Sequence, residues 1–185
     1  MPKDGTRFTR KQAEAVLNQI LPVLEEANLK CEVCGSYRRK NSDVGDIDIL
    51  VTGRALGKKL DEGLKSLRVD MDWSGSDKVG FQLNGMHIDI KWVPKESWGA
   101  GLLHHTGPWG FNIKLRSLAK KKGLILNEYG LYTREDRQVI AQKTEGEILL
   151  CLMNEASAIR FLDPSERKTP EWLEKRGNKS RQKNR

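Results

Sequence analysis

The hydrophobic and polar positions along this chain predict helices and short strands in a mixed order. Apolar residues recur at helical spacing in two segments: Ala13, Val16, Leu17, Ile20, Leu21 and Leu24, and then Ala55, Leu56, Leu60, Leu64 and Leu67. Thr9 is placed to cap the first segment, whereas Pro22 predicts a kink or a break inside it. Each segment therefore predicts an amphipathic helix with one face in a core.

Strand patterns lie between and after these helices, at residues 32–35, 46–51, 69–73, 80–83 and 86–92. The dipeptide Asn84-Gly85 predicts a tight hairpin turn between the last two strands. A third helix is predicted over residues 109–122, and a capping box at Thr144 and Glu147 opens a short fourth one. This succession of elements predicts a mixed α+β fold.

Composition narrows the class of protein. The chain has 185 residues, of which 37% are hydrophobic and 31% charged, so a modest core is expected. The formal net charge of +8 fits a polyanionic partner, and it equally fits plain solubility. The sequence shows neither an apolar run long enough for a membrane span nor an apolar N-terminal signal segment, so a soluble intracellular protein is expected.

The three cysteines argue against a disulfide framework. Cys31 and Cys34 are spaced as a CxxC pair, but they fall on a predicted strand, where a spacing of three places them on opposite faces. A second pair that would complete a zinc site is not found in the sequence. Neither a metal nor a redox function is therefore predicted for these cysteines.

The candidate chemistry lies in residues 34–51, which end in the strand Asp-Ile-Asp-Ile-Leu-Val. Alternation along a strand places Asp46 and Asp48 on one face, about 6.6 Å apart along the chain. Two neighbouring carboxylates repel each other unless a proton or a cation intervenes, and Mg²⁺ suits oxygen ligands. Ser36 and Arg39 just upstream are suited to bind phosphate, so the segment predicts phosphoryl transfer from a nucleotide. An Asp-x-Asp pair alone also fits a solvated strand face.

The order of these residues resembles the palm of family X DNA polymerases, of the DNA polymerase beta type. The resemblance rests on Gly35-Ser36, then Tyr37 with Arg38-Arg39, then Gly45-Asp46-x-Asp48. It extends over about residues 8–167 and is similar in extent to the minimal viral form of that family. It implies a nucleotidyltransferase-fold palm over residues 1–95 and a small C-terminal lobe that binds nucleotide and template over residues 96–170. Residues 171–185 form a basic tail that is expected to be disordered.

The resemblance also implies the roles of residues in the palm. Asp46, Asp48 and Asp89 are the expected catalytic residues and metal ligands, holding two Mg²⁺ ions for which Mn²⁺ can substitute. Gly35, Ser36, Arg39 and Gly45 are the expected contacts to the nucleotide triphosphate. His87 stands two residues before Asp89, where many relatives have an arginine, so the resemblance leaves open how Asp89 and the primer end are oriented; His87 is alternatively an ordinary exposed imidazole. Arg10 is either a triphosphate contact or a solvated arginine.

In the C-terminal lobe, His104 and His105 stand before Thr106-Gly107, where relatives have an aromatic pair. The resemblance implies nucleotide contacts by His105, Gly107, Trp109 and Asn112, and DNA contacts by Arg116, Lys120 and Lys121. Asn112 and Arg116 share a helix face at i and i+4. The lysine run at the helix end is equally explained as a solvated terminus. Adjacent histidines do not face each other on a helix or a strand, so they do not predict a metal site.

The expected activity is template-directed addition of deoxynucleotides to a primer 3′-hydroxyl by a two-metal mechanism, in short-gap filling during DNA repair. The expected partners are gapped or primer–template DNA and deoxynucleoside triphosphates, with no membrane and no second copy of the chain. Two other classes stay open: a nucleotidyltransferase that is non-polymerising or template-independent, and a catalytically silent DNA-binding relative.

Overall fold

The computed structural model describes residues 6–53 and 58–171. Up to Trp92 the elements are β1 (Phe8–Thr9), α1 (Arg10–Glu26), β2 (Leu29–Val33), α2 (Gly35–Arg38), β3 (Asp43–Val44), β4 (Ile47–Gly53), α3 (Lys58–Ser66), β5 (Asp70–Ser74), β6 (Lys78–Leu83) and β7 (Met86–Trp92). After Trp92 they are a 3-10 turn (Lys95–Ser97), α4 (Trp98–Thr106), α5 (Trp109–Lys121), β8 (Leu124–Asn127), β9 (Gly130–Thr133), β10 (Val139–Ala141), α6 (Glu145–Leu152), α7 (Glu155–Leu162) and a 3-10 turn (Pro164–Glu166). The predicted basic tail lies outside the described residues except for Glu171, as do Ala55 and Leu56 of the second predicted helix.

Helix α1 begins as predicted, because Thr9 and Gln12 form a reciprocal capping box. The helix does not end at Pro22 but continues to Glu26, so a break at this proline is a wrong prediction. Apolar residues on both sides of the proline, including Ile20 and Leu24, are buried in the same core. That burial holds the two halves in one helix despite the lost backbone hydrogen bond.

A five-stranded sheet has the strand order β2-β4-β7-β6-β5. One face of this sheet is covered by a hydrophobic core, called the first core below. Helices α1 and α3 pack there against the apolar face of β4 and β7, which includes Ile47, Ile49, Ile88 and Ile90. Strands β4 and β7 are parallel, and the other pairs in this sheet are antiparallel. The predicted Asn84-Gly85 hairpin joins β6 to β7 with positive φ at both residues.

The parallel pairing of β4 and β7 decides where the predicted carboxylates meet. Asp48 on β4 is the registered partner of Asp89 on β7, so the two side chains project side by side from the face opposite the first core. Asp46 lies one residue before β4, in the turn that leads into it, rather than inside the strand as the alternation predicted.

The second core lies among helices α4 to α7 and the three-stranded sheet β10-β9-β8. Phe111 and Leu115 of α5 are buried there against Ile148 and Leu149 of α6. Thr144 caps α6 through the predicted box with Glu147. In the part of the chain that the structure describes, no helix has both the length and the apolar character needed to cross a bilayer.

A buried ionic network joins the two cores. Arg38 on α2 donates from Nη1 and Nη2 to the Glu145 carboxylate at 2.9 and 2.7 Å, and from Nη1 to Thr106 Oγ1 at 2.8 Å. Arg167 Nη1 donates to the same carboxylate at 2.9 Å, and its side chain is completely buried. The Glu145 carboxylate thus binds two guanidinium groups, one from the palm and one from the end of its own lobe.

Candidate active site

An open cleft of about 510 Å³ lies between the sheet and the second core. That volume is within the range of small-molecule sites. The cleft is lined by Arg7, Gly35, Ser36, Arg39, Asn41, Asp46, Asp48, Lys91, His104, His105, Thr106, Gly107, Pro108, Trp109, Asn112, Arg116 and Thr169. Most of the predicted site residues are therefore brought together on one cleft from positions far apart in the chain.

Asp48 is held in the floor of this cleft by the segment that precedes α2. Its backbone carbonyl accepts a hydrogen bond from Cys34 N–H at 2.7 Å. A Cβ atom added to Gly35 would lie 2.3 Å from Asp48 Oδ2, and Gly35 has a φ of +55°. Glycine is required at this position both for the backbone angle and for the close approach of the carboxylate.

The electrostatic environment of Asp48 favours either the neutral, protonated form of its carboxyl group or a cation bound beside the carboxylate. The pKa of Asp48 is raised to about 6, mainly by burial and then by the neighbouring charges of Asp46 and Asp89, against the opposing effect of Lys91 and Arg39. A carboxylate that is buried beside two others becomes stable in its charged form when a cation neutralises it. The donor set therefore fits a hard divalent ion such as Mg²⁺.

Ser36 supplies a second sign of an absent ligand. It is only 9% exposed, and its Oγ has no hydrogen-bond partner among the described residues. A buried hydroxyl without a partner costs free energy unless a ligand or water completes it. Since Ser36 lines the cleft beside Asp48, its hydroxyl is available to a polar group such as a phosphate oxygen.

Two guanidinium groups face the carboxylates. Arg39 donates to the carbonyl oxygen of Thr106, which ties the palm to the end of α4, and burial lowers its pKa. Arg7 donates to Asp43 Oδ1 at 2.6 Å, and its Nη1 is 3.1 Å from where a Gly45 Cβ would stand. The cleft thus has positive groups on either side of its acidic floor, as a polyphosphate with bound cations requires.

Asp89 is partly buried beside Asp48 but is not itself among the residues that line the cleft, and it has partners of its own. His87 Nε2 lies 3.0 Å from its Oδ1, and Lys91 Nζ lies 3.9 Å from its Oδ2. His87 also contacts Asp72, with 2.8 Å between Nδ1 and Oδ2, so its interpretation as an ordinary exposed imidazole is wrong. The described residues contain no group of three His, Cys, Asp or Glu side chains already gathered around one metal position, so metal binding stays a prediction.

The opposite wall of the cleft comes from the end of α4 and the start of α5. His104 and His105 are partly buried, and burial lowers the pKa of both, to about 3 for His105. Their rings meet edge to face with centroids 4.9 Å apart, so the prediction that neighbouring histidines do not face each other is wrong here. Both imidazoles are therefore neutral at physiological pH and line the cleft as polar, uncharged rings.

The turn after these histidines places the remaining lobe residues. Gly107 has a φ of +62°, and the Gly107–Pro108 peptide is cis. Trp109 follows at the start of α5 with 67% of its surface exposed, so one large aromatic ring faces the solvent of the cleft. Asn112 Nδ2 donates to the His104 carbonyl at 2.7 Å, and Arg116 lies one turn further along the same face.

Three residues considered for the site, Arg10, Lys120 and Lys121, lie outside the cleft, and one cleft residue, Arg7, was not predicted. Arg10 is turned away, since it donates to the Tyr37 carbonyl at 2.8 Å and stacks 4.2 Å from that ring. Lys120 and Lys121 are exposed at the end of α5 and do not line the cleft. Arg7 was missed, because it reaches Gly45 only through the pairing of the two-residue strands β1 and β3, which no periodicity signals.

The fold and this cleft define a nucleotidyltransferase palm of the DNA polymerase beta type, followed by a lobe that completes the cleft. The family model for the DNA polymerase beta palm matches residues 1–79, and the model for the DNA polymerase beta thumb matches residues 101–167. The chain belongs to family X of the DNA polymerases.

Curated relatives agree with this assignment. The chain is 29% identical over 195 residues to DNA polymerase lambda of Rattus norvegicus, an alignment that covers 87% of the chain and 33% of that protein. It is 30% identical over 125 residues to the repair DNA polymerase X of African swine fever virus, covering 62% of the chain and 71% of the viral protein. It is 28% identical over 123 residues to the DNA polymerase/3'-5' exonuclease PolX of Bacillus subtilis, covering 64% of the chain and 22% of that protein. The chain thus spans about a third of the rat relative and less of the bacterial one.

Proposed function

We propose that this protein is a DNA polymerase that adds deoxynucleotides to a primer 3′-hydroxyl under the direction of a template strand. The observation that carries the proposal is the partly buried Asp48, which lies beside Asp46 and in register with Asp89, on a cleft that is also lined by Ser36 with its unpartnered hydroxyl. This arrangement has no evident structural use, because a partly buried cluster of like charges destabilises the protein unless a cation neutralises it. It is suited to a nucleotide that arrives with divalent ions.

Asp46 and Asp48 would hold two Mg²⁺ ions between them, with Asp89 completing one of the two sites. When bound, such ions lower the pKa of a hydroxyl nucleophile and neutralise charge on the phosphates. The fit rests on the raised pKa of Asp48 and on the register of Asp48 with Asp89. Mn²⁺, which accepts the same oxygen ligands, is expected to substitute.

The other cleft residues have roles that follow from their chemistry. Ser36, Arg39 and the backbone at Gly45 are placed to bind the triphosphate, and Arg7 stands beside them as an additional cation. Trp109 offers an exposed aromatic face to the nascent base pair. Arg116 extends the same wall, where it is suited to contact the template strand.

Short-gap filling during repair is the setting that we propose for this activity. The African swine fever virus relative is named a repair DNA polymerase. The basic net charge of +8 supports binding to DNA.

A primer-extension assay tests the proposal. The wild-type protein is expected to extend a primer by the templated nucleotide when each nucleotide is supplied separately with Mg²⁺, on gapped, nicked and single-stranded DNA in parallel. Asp48→Ala and Asp89→Ala are expected to abolish extension, whereas Asp77→Ala, in an exposed turn of the same sheet, retains it. Extension without regard to the template would favour a template-independent nucleotidyltransferase instead. Normal extension by Asp48→Ala would refute the proposed chemistry.

A further inference from the structure

We propose that Asp72 and His87 form a positioning unit that fixes the orientation of the Asp89 carboxylate. The inference rests on the proposed function, since it assigns two further residues to the same site. Neither Asp72 nor His87 lines the nucleotide cleft, so their effect on the reaction has to pass through Asp89.

The hydrogen bonds of this unit run in one line across the sheet. His87 Nε2 lies 3.0 Å from Asp89 Oδ1, and His87 Nδ1 lies 2.8 Å from Asp72 Oδ2. Gln82 Nε2 donates to the other oxygen of Asp72 at 3.4 Å. Each ring nitrogen thus has a carboxylate oxygen within hydrogen-bond distance, and when both nitrogens carry a proton the imidazolium donates to both, so that the ring cannot rotate without losing two contacts.

A local irregularity of the sheet brings Asp72 within reach. Met71 pairs with Phe81 and Trp73 pairs with Gly80, so Asp72 is an extra residue between two registered pairs. Such a β-bulge redirects a side chain, and bulges are frequent beside active sites. Here the redirected side chain passes over β6 to a residue on β7, two strands away.

A glycine on the neighbouring strand β6 lets the Trp73 ring pack close to this unit. Gly80 is the registered partner of both Trp73 and Asp89, and a Cβ atom added there would lie 2.3 Å from the Trp73 ring. The indole therefore packs directly on the β6 backbone beside Asp89. The side chains of His87 and Asp89 are left only 21% and 22% exposed, and hydrogen bonds are stronger in such a partly dry setting.

These contacts give the two carboxylate oxygens of Asp89 different and fixed surroundings. Oδ1 is occupied by His87, while Oδ2 faces Lys91, which itself lines the cleft. A metal-ligating carboxylate that is oriented by an outer hydrogen bond presents one oxygen at a constant position. His87 is therefore a positioning residue for Asp89, and Asp72 acts through His87.

The first test reads the hydrogen bonds without any enzymatic activity. The protein has three histidines, His87, His104 and His105, so their imidazole ¹⁵N resonances are readily assigned by substitution. Asp72→Asn is expected to shift the His87 Nδ1 resonance and to leave the other two rings unchanged. Asp70→Asn, on the same strand, serves as the matched control and is expected to shift none of them. An unchanged His87 resonance in Asp72→Asn would overturn the proposed unit.

The second test is single-turnover primer extension. His87→Ala and Asp72→Ala are each expected to lower the extension rate by about ten- to one hundredfold, the cost typical of an outer-shell partner, with the nucleotide Kd unchanged. The double variant is expected to be no slower than His87→Ala alone, since Asp72 acts through His87. His87→Gln is expected to restore part of the rate, because its amide N–H can donate to Asp89.

The outcomes separate this inference from the proposed function. Independent, additive losses from the two substitutions, or a wild-type rate in Asp72→Ala, would overturn the positioning role while the polymerase activity stands. An inactive wild-type protein that still shows the His87 response to Asp72→Asn would overturn the proposed function and leave the hydrogen-bonded unit established.

Discussion

The palm and the C-terminal lobe border the same cleft, but they build their sides of it differently. The palm presents carboxylates from adjacent strands, and burial together with their closeness raises the pKa of Asp48. The lobe presents neutral groups from the junction of two helices, where burial keeps His104 and His105 uncharged. The palm side thus carries the charges that the proposed cations and phosphate need, whereas the lobe side offers the uncharged surface that suits the proposed sugar and base.

The contrast extends to what holds each side in place. Strand register fixes the palm residues, because a shift of one position would turn Asp48 into the first core. The lobe residues depend instead on how the second core is docked on the palm. Arg38, Glu145 and Arg167 make that connection, so breaking it should disturb the lobe side first.

The largest effect is expected from Glu145→Gln. It leaves the buried guanidinium group of Arg167 without its carboxylate partner and Arg38 with only the more distant Glu32, and removing one partner of a buried ion pair costs about 3–5 kcal/mol. We expect the free energy of unfolding, measured by urea denaturation, to fall by about that amount. Glu155→Gln, at an exposed helix start, is the control. A midpoint for Glu145→Gln equal to that of the control would show that the network does not hold the lobe.

The same contrast between the palm and the lobe determines how much of the candidate site could be predicted from the sequence. Alternation along β4 correctly placed Asp48 on the face opposite the buried Ile47 and Ile49, because the side-chain period of a strand is two, whereas the assignment of Asp89 came from the resemblance to family X polymerases. Alternation could not show that His87 is held by Asp72, since that contact depends on a bulge between Met71 and Trp73. Helical and strand periods describe one element at a time, and contacts across a sheet or between short strands lie beyond them.

The lobe shows the limit more clearly. The i and i+4 spacing correctly predicted that Asn112 and Arg116 share one face of α5. This face borders the cleft because of the Gly107 turn and the docking of the two cores on each other. No local sequence pattern contains either feature. Only the resemblance to family X polymerases suggested that this face borders the cleft. The buried pair Glu145 and Arg167 gave no signal in the sequence, because charged residues are ordinarily read as surface.

The next prediction concerns the electrostatic strain of the palm side. The folded pKa of Asp48, about 6, lies above the ordinary aspartate value of 3.8. Its contribution to stability is therefore present below the unfolded pKa and lost as the pH rises through about 6, so charged Asp48 destabilises the metal-free protein at pH 7.5. We expect Asp48→Asn to raise the free energy of unfolding by about 2 kcal/mol at pH 7.5 without divalent ions.

This gain should vanish at pH 4, where Asp48 is protonated, and Mg²⁺ should stabilise the wild-type protein more than the variant. Thermal unfolding at the two pH values, with and without Mg²⁺, measures both effects. A variant that is less stable than wild type at pH 7.5 without metal would show that the carboxylate is not strained.

A smaller effect is expected on the lobe side. His104 and His105 replace the aromatic pair that is usual in the family, which changes the size and polarity of the wall near the sugar. We expect His104→Tyr combined with His105→Phe to increase discrimination against ribonucleotides by about tenfold, the order that shape differences in a pocket provide. The measurement is the ratio of kcat/KM for matched deoxy- and ribonucleotides. Discrimination between correct and incorrect bases is the internal control, and an unchanged sugar ratio would remove these histidines from sugar selection.

The smallest effect is expected outside the cleft, at Lys120 and Lys121. Both are exposed at the C-terminal end of α5, where they are explained either by contact with the DNA backbone or by a favourable interaction with the helix dipole. Each phosphate contact on duplex DNA contributes about −0.9 to the slope of log K against log salt concentration. If both lysines contact DNA, the double alanine variant is expected to flatten the slope by about 1.8 while leaving kcat at saturating DNA unchanged.

The matched control is Lys59→Ala with Lys65→Ala on α3, which packs on the opposite face of the palm sheet from Asp48. It removes the same charge from the chain, so it accounts for any general change in electrostatic attraction. A slope that responds equally to both pairs would mean that only net charge matters. A slope that responds to neither pair, with a lower melting temperature for the Lys120 and Lys121 variant alone, would assign these lysines to the helix terminus. Flattening by the Lys120 and Lys121 variant alone would extend the DNA-binding surface along α5 beyond Arg116, so that the lobe contributes charge where it meets the duplex and neutral shape where it meets the nucleotide.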